Sequence, residues 1–222
     1  MARFLVIPDS FKGTLSARQA CRVMDRAILR QFPGAEVLCI PAADGGEGTA
    51  EAFLSVLGGQ TRAETVCGPL GTPVKAVYGL LSDGSAVIDM ASCAGLTLAG
   101  NQKDPEKTTT YGVGQLLRSA LDRGAKRLLL GLGGSATNDG GCGMAAACGV
   151  RFLDGEGRAF VPTGGTLERI VSIDLSGLDP RLREAELTAL CDIDSPLCGP
   201  AGAAAVFSPQ KGADPAMTAR LE

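Results

Sequence analysis

Short apolar runs alternate with helical patterns along this 222-residue chain, and no other feature limits its fold as much. Residues 4–7 and 37–40 are continuous apolar runs, which are typical of buried parallel strands. After each run, apolar residues recur at helical spacing, with Ser16 as the expected N-cap of the first helix and Thr49–Leu57 as the second helix. The pattern predicts a β-α-β-α opening and therefore an α/β fold.

Residues 60–90 show a different pattern, in which short β-rich runs alternate with Gly-Pro and Asp-Gly turn sequences. This pattern predicts hairpins in an antiparallel or mixed sheet. We therefore expect two units, a parallel layer at residues 1–66 and a mixed α/β unit at residues 67–222. A helix that opens at residues 215–222 has no closing element after it, which predicts that the chain stops within a domain. Later strands are expected at residues 128–130, 150–153, 170–174 and 187–191.

Composition excludes several classes of function. The chain has no histidine and no tryptophan, so Ser-His-Asp and Cys-His nucleophile pairs and histidine-ligated metals are excluded. A net charge of -3 and a pI near 5.1 argue against a nucleic-acid partner. No apolar run approaches the ~20 residues of a membrane span, and the N-terminal run is too short for a signal peptide. We therefore expect a soluble cytoplasmic protein without a membrane partner.

The eight cysteines form no C-x-x-C pair, so the sequence signals neither a zinc site nor a thioredoxin motif. Several of them lie in apolar runs, as Cys39 does, where cysteine behaves as a small apolar residue. In a cytoplasmic protein we expect all eight to be reduced thiols. The sequence leaves open whether two copies associate as a homodimer.

The strongest candidate site is the glycine-rich segment at residues 131–141, GLGGSATNDGG, which follows a predicted buried strand and precedes a helical pattern. Glycine lets the backbone approach a ligand closely, and successive N–H groups at a strand-to-helix turn attract anions. The segment therefore predicts a cradle for a phosphate or a substrate. Asp139 suits Mg²⁺ binding or the orientation of a hydroxyl. The candidate residues are Gly133, Gly134, Ser135, Thr137, Asn138 and Asp139.

A nicotinamide site is a rival interpretation of the same segment. Gly131, Gly133 and Ala136 fit a relaxed dinucleotide fingerprint, and Asp154 follows about 20 residues later, where a ribose-binding acid would stand. However, the polar and glycine residues at 138–141 would interrupt the helix that such a site begins at once. A nicotinamide-dependent oxidoreductase is therefore the second hypothesis.

Two more polar loops leave the first two predicted strands, at residues 8–14 and 41–49. Ligands of open parallel sheets bind at the carboxyl ends of the strands, where these loops lie. Asp9 and Asp44 suit Mg²⁺ binding or deprotonation of a hydroxyl, and Lys12 adds a cation. We take these three as candidate catalytic residues. The neighbouring candidates for substrate or phosphate binding are Ser10, Gly45, Gly46 and Glu47.

A fourth polar cluster follows the strand expected at residues 187–191. Asp192 and Asp194 stand two residues apart and are candidate ligands of a metal ion, although this is also a common turn sequence. Lys211 lies further along the chain and is a candidate to neutralise a phosphate. The chain has no Walker A motif, so a nucleotide would have to bind differently from one in a P-loop.

With these segments in order, the chain resembles the bacterial glycerate kinase family, whose members phosphorylate glycerate from ATP. The resemblance implies a flavodoxin- or Rossmann-like parallel-sheet domain, incomplete here, into which a second mixed α/β domain is inserted. Family members continue well past residue 222, so it also implies a C-terminal truncation, with a non-catalytic remnant as a third hypothesis. The matching segments include PDSFKGTLSA (8–17), ADGGEGT (43–49), LGGSATNDGGCGM (132–144), CDIDSPL (191–197) and SPQKGAD (208–214).

The resemblance also implies the reaction and its participants. ATP and Mg²⁺ are the implied cofactors, glycerate is the implied substrate, and 2-phosphoglycerate is the favoured product. Asp9 or Asp44 would act as a base or metal ligand, Lys12 and Lys211 would contact phosphates, and residues 133–138 would form the cradle. Cys142, Cys148, Ser195 and Ser208 depart mildly from the family pattern.

Overall fold

A computed structural model describes residues 1–11 and 14–222, so the predicted site residue Lys12 lies outside the described residues. The fold is α/β, as predicted, and contains parallel and mixed sheets. The strands are β1 (Arg3–Val6), β2 (Glu36–Cys39), β3 (Gly59–Cys67), β4 (Pro73–Leu81), β5 (Ala86–Asp89), β6 (Arg127–Gly131), β7 (Arg151–Leu153), β8 (Ala159–Phe160), β9 (Ser172–Asp174) and β10 (Glu186–Leu190). The helices are α1 (Ala17–Gln31), α2 (Thr49–Leu57), α3 (Ala91–Ala94), α4 (Leu96–Ala99), α5 (Tyr111–Asp122), α6 (Cys142–Ala147), α7 (Arg181–Glu184), α8 (Ala203–Phe207) and α9 (Pro215–Leu221).

The N-terminal segment forms the predicted β-α-β-α arrangement. β1 and β2 are parallel neighbours, with Phe4 opposite Val37, and α1 connects them. Helix α1 begins with a capping box, because the Ser16 side chain accepts a hydrogen bond from the Gln19 N–H at 3.2 Å and the Gln19 side chain accepts one from the Ser16 N–H at 2.8 Å. The N-cap prediction at Ser16 is therefore confirmed.

The main sheet has five strands in the order β10-β6-β5-β4-β3. β3, β4 and β5 form antiparallel pairs, as the turn sequences predicted, whereas β5, β6 and β10 run parallel. Gly71 and Gly84 have φ values of +81° and +82° in the two hairpin turns, a backbone region that glycine enters without strain. The carboxyl ends of β5, β6 and β10 therefore meet at one edge of this sheet.

Helices cover both faces of the main sheet. Successive side chains of a strand point to opposite faces, so Ile88 packs in the cluster of α5 and Val87 packs in the cluster of α2. Leu116 and Leu117 of α5 are at most 1% exposed. Each such side chain stabilises the fold by about 1.5–3 kcal/mol relative to an exposed one. This packing fixes the sheet edge from which the site loops project.

A small antiparallel sheet, in the order β8-β7-β9, lies outside the main sheet. Asp154 lies in the hairpin between β7 and β8, where its carboxylate accepts hydrogen bonds from the Glu156 and Arg158 N–H groups, each at 3.0 Å. Asp154 therefore has a structural role in a turn.

The expected division at residue 66 stays a prediction. β3 begins at Gly59 and belongs to the five-stranded sheet, so this sheet includes residues on both sides of that position. Helix α2 packs against β4 and β5 of the same sheet.

All eight cysteines are free thiols. Burial raises the pKa of Cys93 to about 12 and that of Cys148 to about 11, so both are protonated at neutral pH. Within residues 1–11 and 14–222, no helix combines the length and apolar character that crossing a membrane requires.

Candidate active site

A cleft of about 920 Å³ lies where the loops that follow β1, β2, β6 and β10 converge. Its volume is in the range of pockets that hold small ligands and cofactors. The structure brings together in its walls nine of the residues proposed from the sequence: Ser10, Asp44, Gly46, Glu47, Gly133, Gly134, Ser135, Asp192 and Lys211.

The loop after β2 and the glycine-rich loop after β6 are in direct backbone contact. The Gly133 N–H donates to the Gly45 carbonyl at 3.0 Å. A Cβ atom on Gly131 would lie 2.3 Å from the Gly45 oxygen, and one on Gly133 would lie 2.7 Å from the Gly46 Cα atom. Side chains at these positions would force the loops apart. The glycines therefore allow the two loops to form one continuous wall of the cleft.

The loop between β2 and α2 is held in place by polar contacts. Asp44 Oδ1 accepts a hydrogen bond from the Gly46 N–H at 3.0 Å, and Thr49 Oγ1 donates to the Gly46 carbonyl at 2.8 Å. Asp89, at the end of β5, accepts hydrogen bonds from the N–H groups of Gly48 at 3.0 Å and Ala50 at 2.9 Å. These bonds fix the segment that carries Asp44.

Asp89 is a residue that the sequence analysis did not single out. Burial raises the pKa of its carboxyl to about 6, against the opposing effect of the hydrogen bonds from Ala50 and Gly48. The only sequence signal was an acidic residue directly after the apolar run at 86–88.

The glycine-rich loop is held on its other side by the segment of α3 and α4. The Leu96 N–H donates to the Gly134 carbonyl at 2.9 Å, and the Ala136 N–H donates to the Ala94 carbonyl at 2.8 Å. The loop is thus fixed by backbone bonds on both sides. Such a loop can present groups to a ligand with little loss of conformational entropy on binding.

Asp139 lies outside the cleft lining. Its carboxylate is 1% exposed and accepts hydrogen bonds from the N–H groups of Thr110, Gly141 and Gly143 at 2.8, 3.1 and 3.2 Å, and from Thr110 Oγ1 at 2.8 Å. Asp139 therefore ties together the starts of α5 and α6. Its expected contact with Mg²⁺ or a hydroxyl stays a prediction.

Lys211 is a buried cation on the wall of the cleft. The residue is 8% exposed, and its Nζ donates to the Thr137 carbonyl at 2.6 Å. Burial lowers the pKa of Lys211 to about 8, although the charge of Asp139 opposes this effect. Among the described residues, no carboxylate lies within ion-pair distance of Nζ. A buried ammonium with so little compensation attracts an anionic ligand.

Asp192 lines the cleft, whereas Asp194 does not. The part of the chain that the structure describes contains no cluster of three or more His, Cys, Asp or Glu side chains placed to hold a metal ion. Mg²⁺ commonly binds one or two carboxylates together with substrate phosphates and water, so Asp44 and Asp192 fit it only as part of a nucleotide complex. The Asp192–Asp194 metal pair stays a prediction.

The other predicted residues that the structure describes lie beside the cleft. The exposed Asp9 accepts a hydrogen bond from the Ser10 N–H at 2.6 Å. Thr137 supplies the carbonyl that holds Lys211, and Asn138 is half-buried. The sequence-based assignments of Asp9, Lys12, Gly45, Thr137 and Asn138 stay predictions.

The rival dinucleotide interpretation is wrong. The first helix after Gly131 is α6, which begins only at Cys142, and the intervening residues form the loop described above. The expected ribose-binding acid, Asp154, follows β7, which pairs antiparallel with β8 and β9 and not with β6. The parallel neighbour strand that a nicotinamide site requires is therefore absent at this position.

The fold and the cleft define an α/β protein with a large cleft at the carboxyl ends of parallel strands and a buried lysine in the cleft wall. The model of the glycerate kinase family matches residues 4–222. The chain therefore belongs to the glycerate kinase family.

Similar proteins support this assignment. The chain is 50% identical over 213 residues to a glycerate kinase of Bacillus subtilis (strain 168), and the matched region covers 95% of this chain and 56% of that protein. It is 43% identical over 222 residues to a glycerate 2-kinase of Escherichia coli (strain K12), covering 99% of this chain and 58% of that protein. A crystal structure described as a glycerate kinase 2 of Salmonella typhimurium LT2 matches with a TM-score of 0.87 and 45% identity, covering 99% of this chain and 59% of that chain. The chain thus spans little more than half the length of these relatives.

Proposed function

We propose that this chain provides the reaction cleft of a kinase that transfers the γ-phosphoryl group of ATP to glycerate. The observation that carries the proposal is Lys211, a buried cation on the cleft wall in a chain of the glycerate kinase family. We favour 2-phosphoglycerate as the product, because the Escherichia coli relative is named a glycerate 2-kinase. We place the reaction in the cytoplasm.

The proposed reaction is an in-line displacement. A hydroxyl oxygen of glycerate attacks the γ-phosphorus, the bond to the bridging oxygen of ADP breaks, and the hydroxyl proton passes to a base. Catalysis of such a transfer consists mainly of positioning and charge neutralisation. Lys211 would contact phosphate oxygens, and the N–H group of Gly134 in the glycine-rich loop would bind a further oxygen of the nucleotide's phosphates.

Asp44 is the favoured group to receive the hydroxyl proton. It lines the cleft, whereas Asp9 lies beside it. Asp192 would hold a Mg²⁺ ion together with phosphate oxygens. When bound, the ion would neutralise negative charge on the phosphates.

The test is a coupled assay for ADP formation by the complete gene product, with and without glycerate. We expect ADP to form only when ATP, Mg²⁺ and glycerate are all present. A parallel absorbance assay with glycerate and a nicotinamide cofactor should show no change. ATP hydrolysis that is independent of glycerate, or oxidation of glycerate by the nicotinamide cofactor, would overturn the proposal.

A further inference from the structure

A buried carboxylate that takes no part in the proposed chemistry joins the main sheet to the site loop. Asp89 is 7% exposed and ends β5 at the sheet edge that faces the cleft. Its two oxygens are used separately, with Oδ2 accepting from the Gly48 N–H and Oδ1 from the Ala50 N–H. These partners lie at the end of the site loop and in the first turn of α2.

The polar contact of Asp89 joins two elements that are distant in the sequence. Gly48 has a φ of +95°, so the chain turns sharply there before α2 begins. Glycine leaves the backbone free at this position, and the two bonds to Asp89 restrict it. Together with the bonds of Gly45 to Gly133 and of Gly46 to Thr49, the bonds to Asp89 therefore set the direction in which the preceding residues leave the turn, and with it the position of Asp44.

We propose that Asp89 is a positioning residue, whose ionised carboxylate holds the loop of residues 43–48 in the arrangement that the cleft requires. This inference rests on the proposed function, because the loop carries the favoured proton acceptor Asp44. A protonated carboxyl has lost the charge that strengthens its bonds to N–H donors, and its O–H group needs an acceptor of its own. Protonation of Asp89 therefore weakens the two bonds that hold the loop.

The raised pKa of Asp89, about 6, places this change at mildly acidic pH. A side cavity of about 670 Å³, which Asp89 lines, also contains Arg18, Glu47, Glu51 and Lys75, all of them exposed to solvent. Arg18 is paired with Glu51 at 3.5 Å, and the charge of Glu47 adds to the rise in the pKa of Asp89. The bonds to the loop are thus strongest above about pH 6 and weaken as the pH falls through this value.

The test is Asp89→Asn in the complete gene product. Asparagine keeps the shape and one acceptor but presents an N–H₂ group to the second backbone donor. We expect kcat to fall by roughly 10–100-fold, because small misplacement of reacting groups can cost about 10²-fold in rate. We also expect the acid limb of the kcat profile near pH 6 to disappear, a change that a merely structural role would not produce.

The matched control is Asp154→Asn, since Asp154 also accepts two backbone N–H bonds but lies in the β7–β8 hairpin outside the cleft. This variant should retain the activity and the pH profile of the parent. An Asp89→Asn protein that is folded, active and still has the acid limb would overturn the inference.

A second measurement separates this inference from the proposed function. In the ¹⁵N-labelled protein, the amide resonances of Gly48 and Ala50 should titrate with an apparent pKa near 6, and Asp89→Asn should abolish this titration. If these amide resonances do not shift between pH 5 and pH 7, a range of about one pH unit on each side of that pKa, the inference fails whatever the activity of the enzyme. If they titrate but no glycerate-dependent ADP forms, the proposed function fails and the loop contact stands.

Discussion

Replacing Lys211 with methionine is expected to lower the rate of glycerate phosphorylation by about 10²–10³-fold, since loss of one well-placed group that stabilises transition-state charge typically costs about 2.7–4 kcal/mol. Methionine is similar in length to the lysine stem but carries no charge. The measurement is kcat/KM for ATP in the coupled ADP assay. A variant with the parent rate would remove Lys211 from the proposed site.

The same substitution should not lower the free energy of unfolding at neutral pH. Burial lowers the folded pKa of Lys211 to about 8 from 10.5, so the unfolded chain binds more protons between these two values. The free energy of unfolding therefore rises with pH between these two pKa values. Below the lower value, the buried charge of Lys211 destabilises the folded protein. Lys211→Met removes this cost and loses one hydrogen bond to Thr137. We expect an equal or higher Tm at pH 7.

Lys107→Met is the control for Lys211→Met. Lys107 is an exposed lysine that pairs with Asp104 at 2.7 Å and does not line the cleft. Its substitution should change the free energy of unfolding by no more than about 0.5 kcal/mol and leave the rate unchanged. A large loss of activity in both variants would point to a general effect of net charge.

Replacing Asp44 with asparagine is expected to lower kcat by about 10²–10³-fold, because a positioned general base contributes on the order of 10²–10⁴ to a rate. Asparagine can still accept the hydrogen bond from the Gly46 N–H, so the turn itself should persist. We expect the KM for ATP to change much less than kcat. The measurement is a steady-state kinetic comparison of the two proteins over pH 6–9, which spans about one unit or more on each side of neutrality.

The control for Asp44→Asn is Asp83→Asn. Asp83 accepts the same type of bond, from the N–H of Ser85 two residues on, but lies in the hairpin between β4 and β5. Its substitution should leave kcat unchanged. If Asp44→Asn behaved like Asp83→Asn, the proton acceptor would have to be another group, and Asp9 would be the next candidate to substitute.

Elements with local signals could be predicted from the sequence. Ser16 and the bounds Thr49–Leu57 are confirmed, because a capping residue and apolar residues at helical spacing act within a few residues of each other. The strands β1 and β2 each lie one residue before the predicted runs. The short helices α3 and α4 were not predicted, since four residues are too few to show a helical period.

The site loops could be predicted, but the contacts that hold them could not. The parallel order of the strands implied that several loops meet at one edge, and nine predicted residues do line one cleft. Asp89 and the Gly48 N–H are 41 residues apart, and Asp139 and Thr110 are 29 residues apart. Only the tertiary fold brings such partners together, so no local pattern distinguishes these buried carboxylates from ordinary turn residues.

The dinucleotide fingerprint was misleading for a related reason. Gly131 and Gly133 are required by the close approach of the loop after β2, with a Cβ on Gly131 only 2.3 Å from the Gly45 oxygen. A fingerprint reports that glycines are needed but not what approaches them. Strand pairing contradicts the dinucleotide interpretation, because β7 pairs in a separate antiparallel sheet.

A crystal structure of the complete gene product with Mg²⁺, glycerate and a non-hydrolysable ATP analogue tests the central claim most directly. We expect phosphate oxygens within about 3 Å of Lys211 Nζ and of the N–H groups of the glycine-rich loop, a normal distance for charge-assisted hydrogen bonds. The glycerate hydroxyl should lie beside Asp44. A nucleotide bound outside this cleft, with Lys211 still bonded only to the Thr137 carbonyl, would contradict the account.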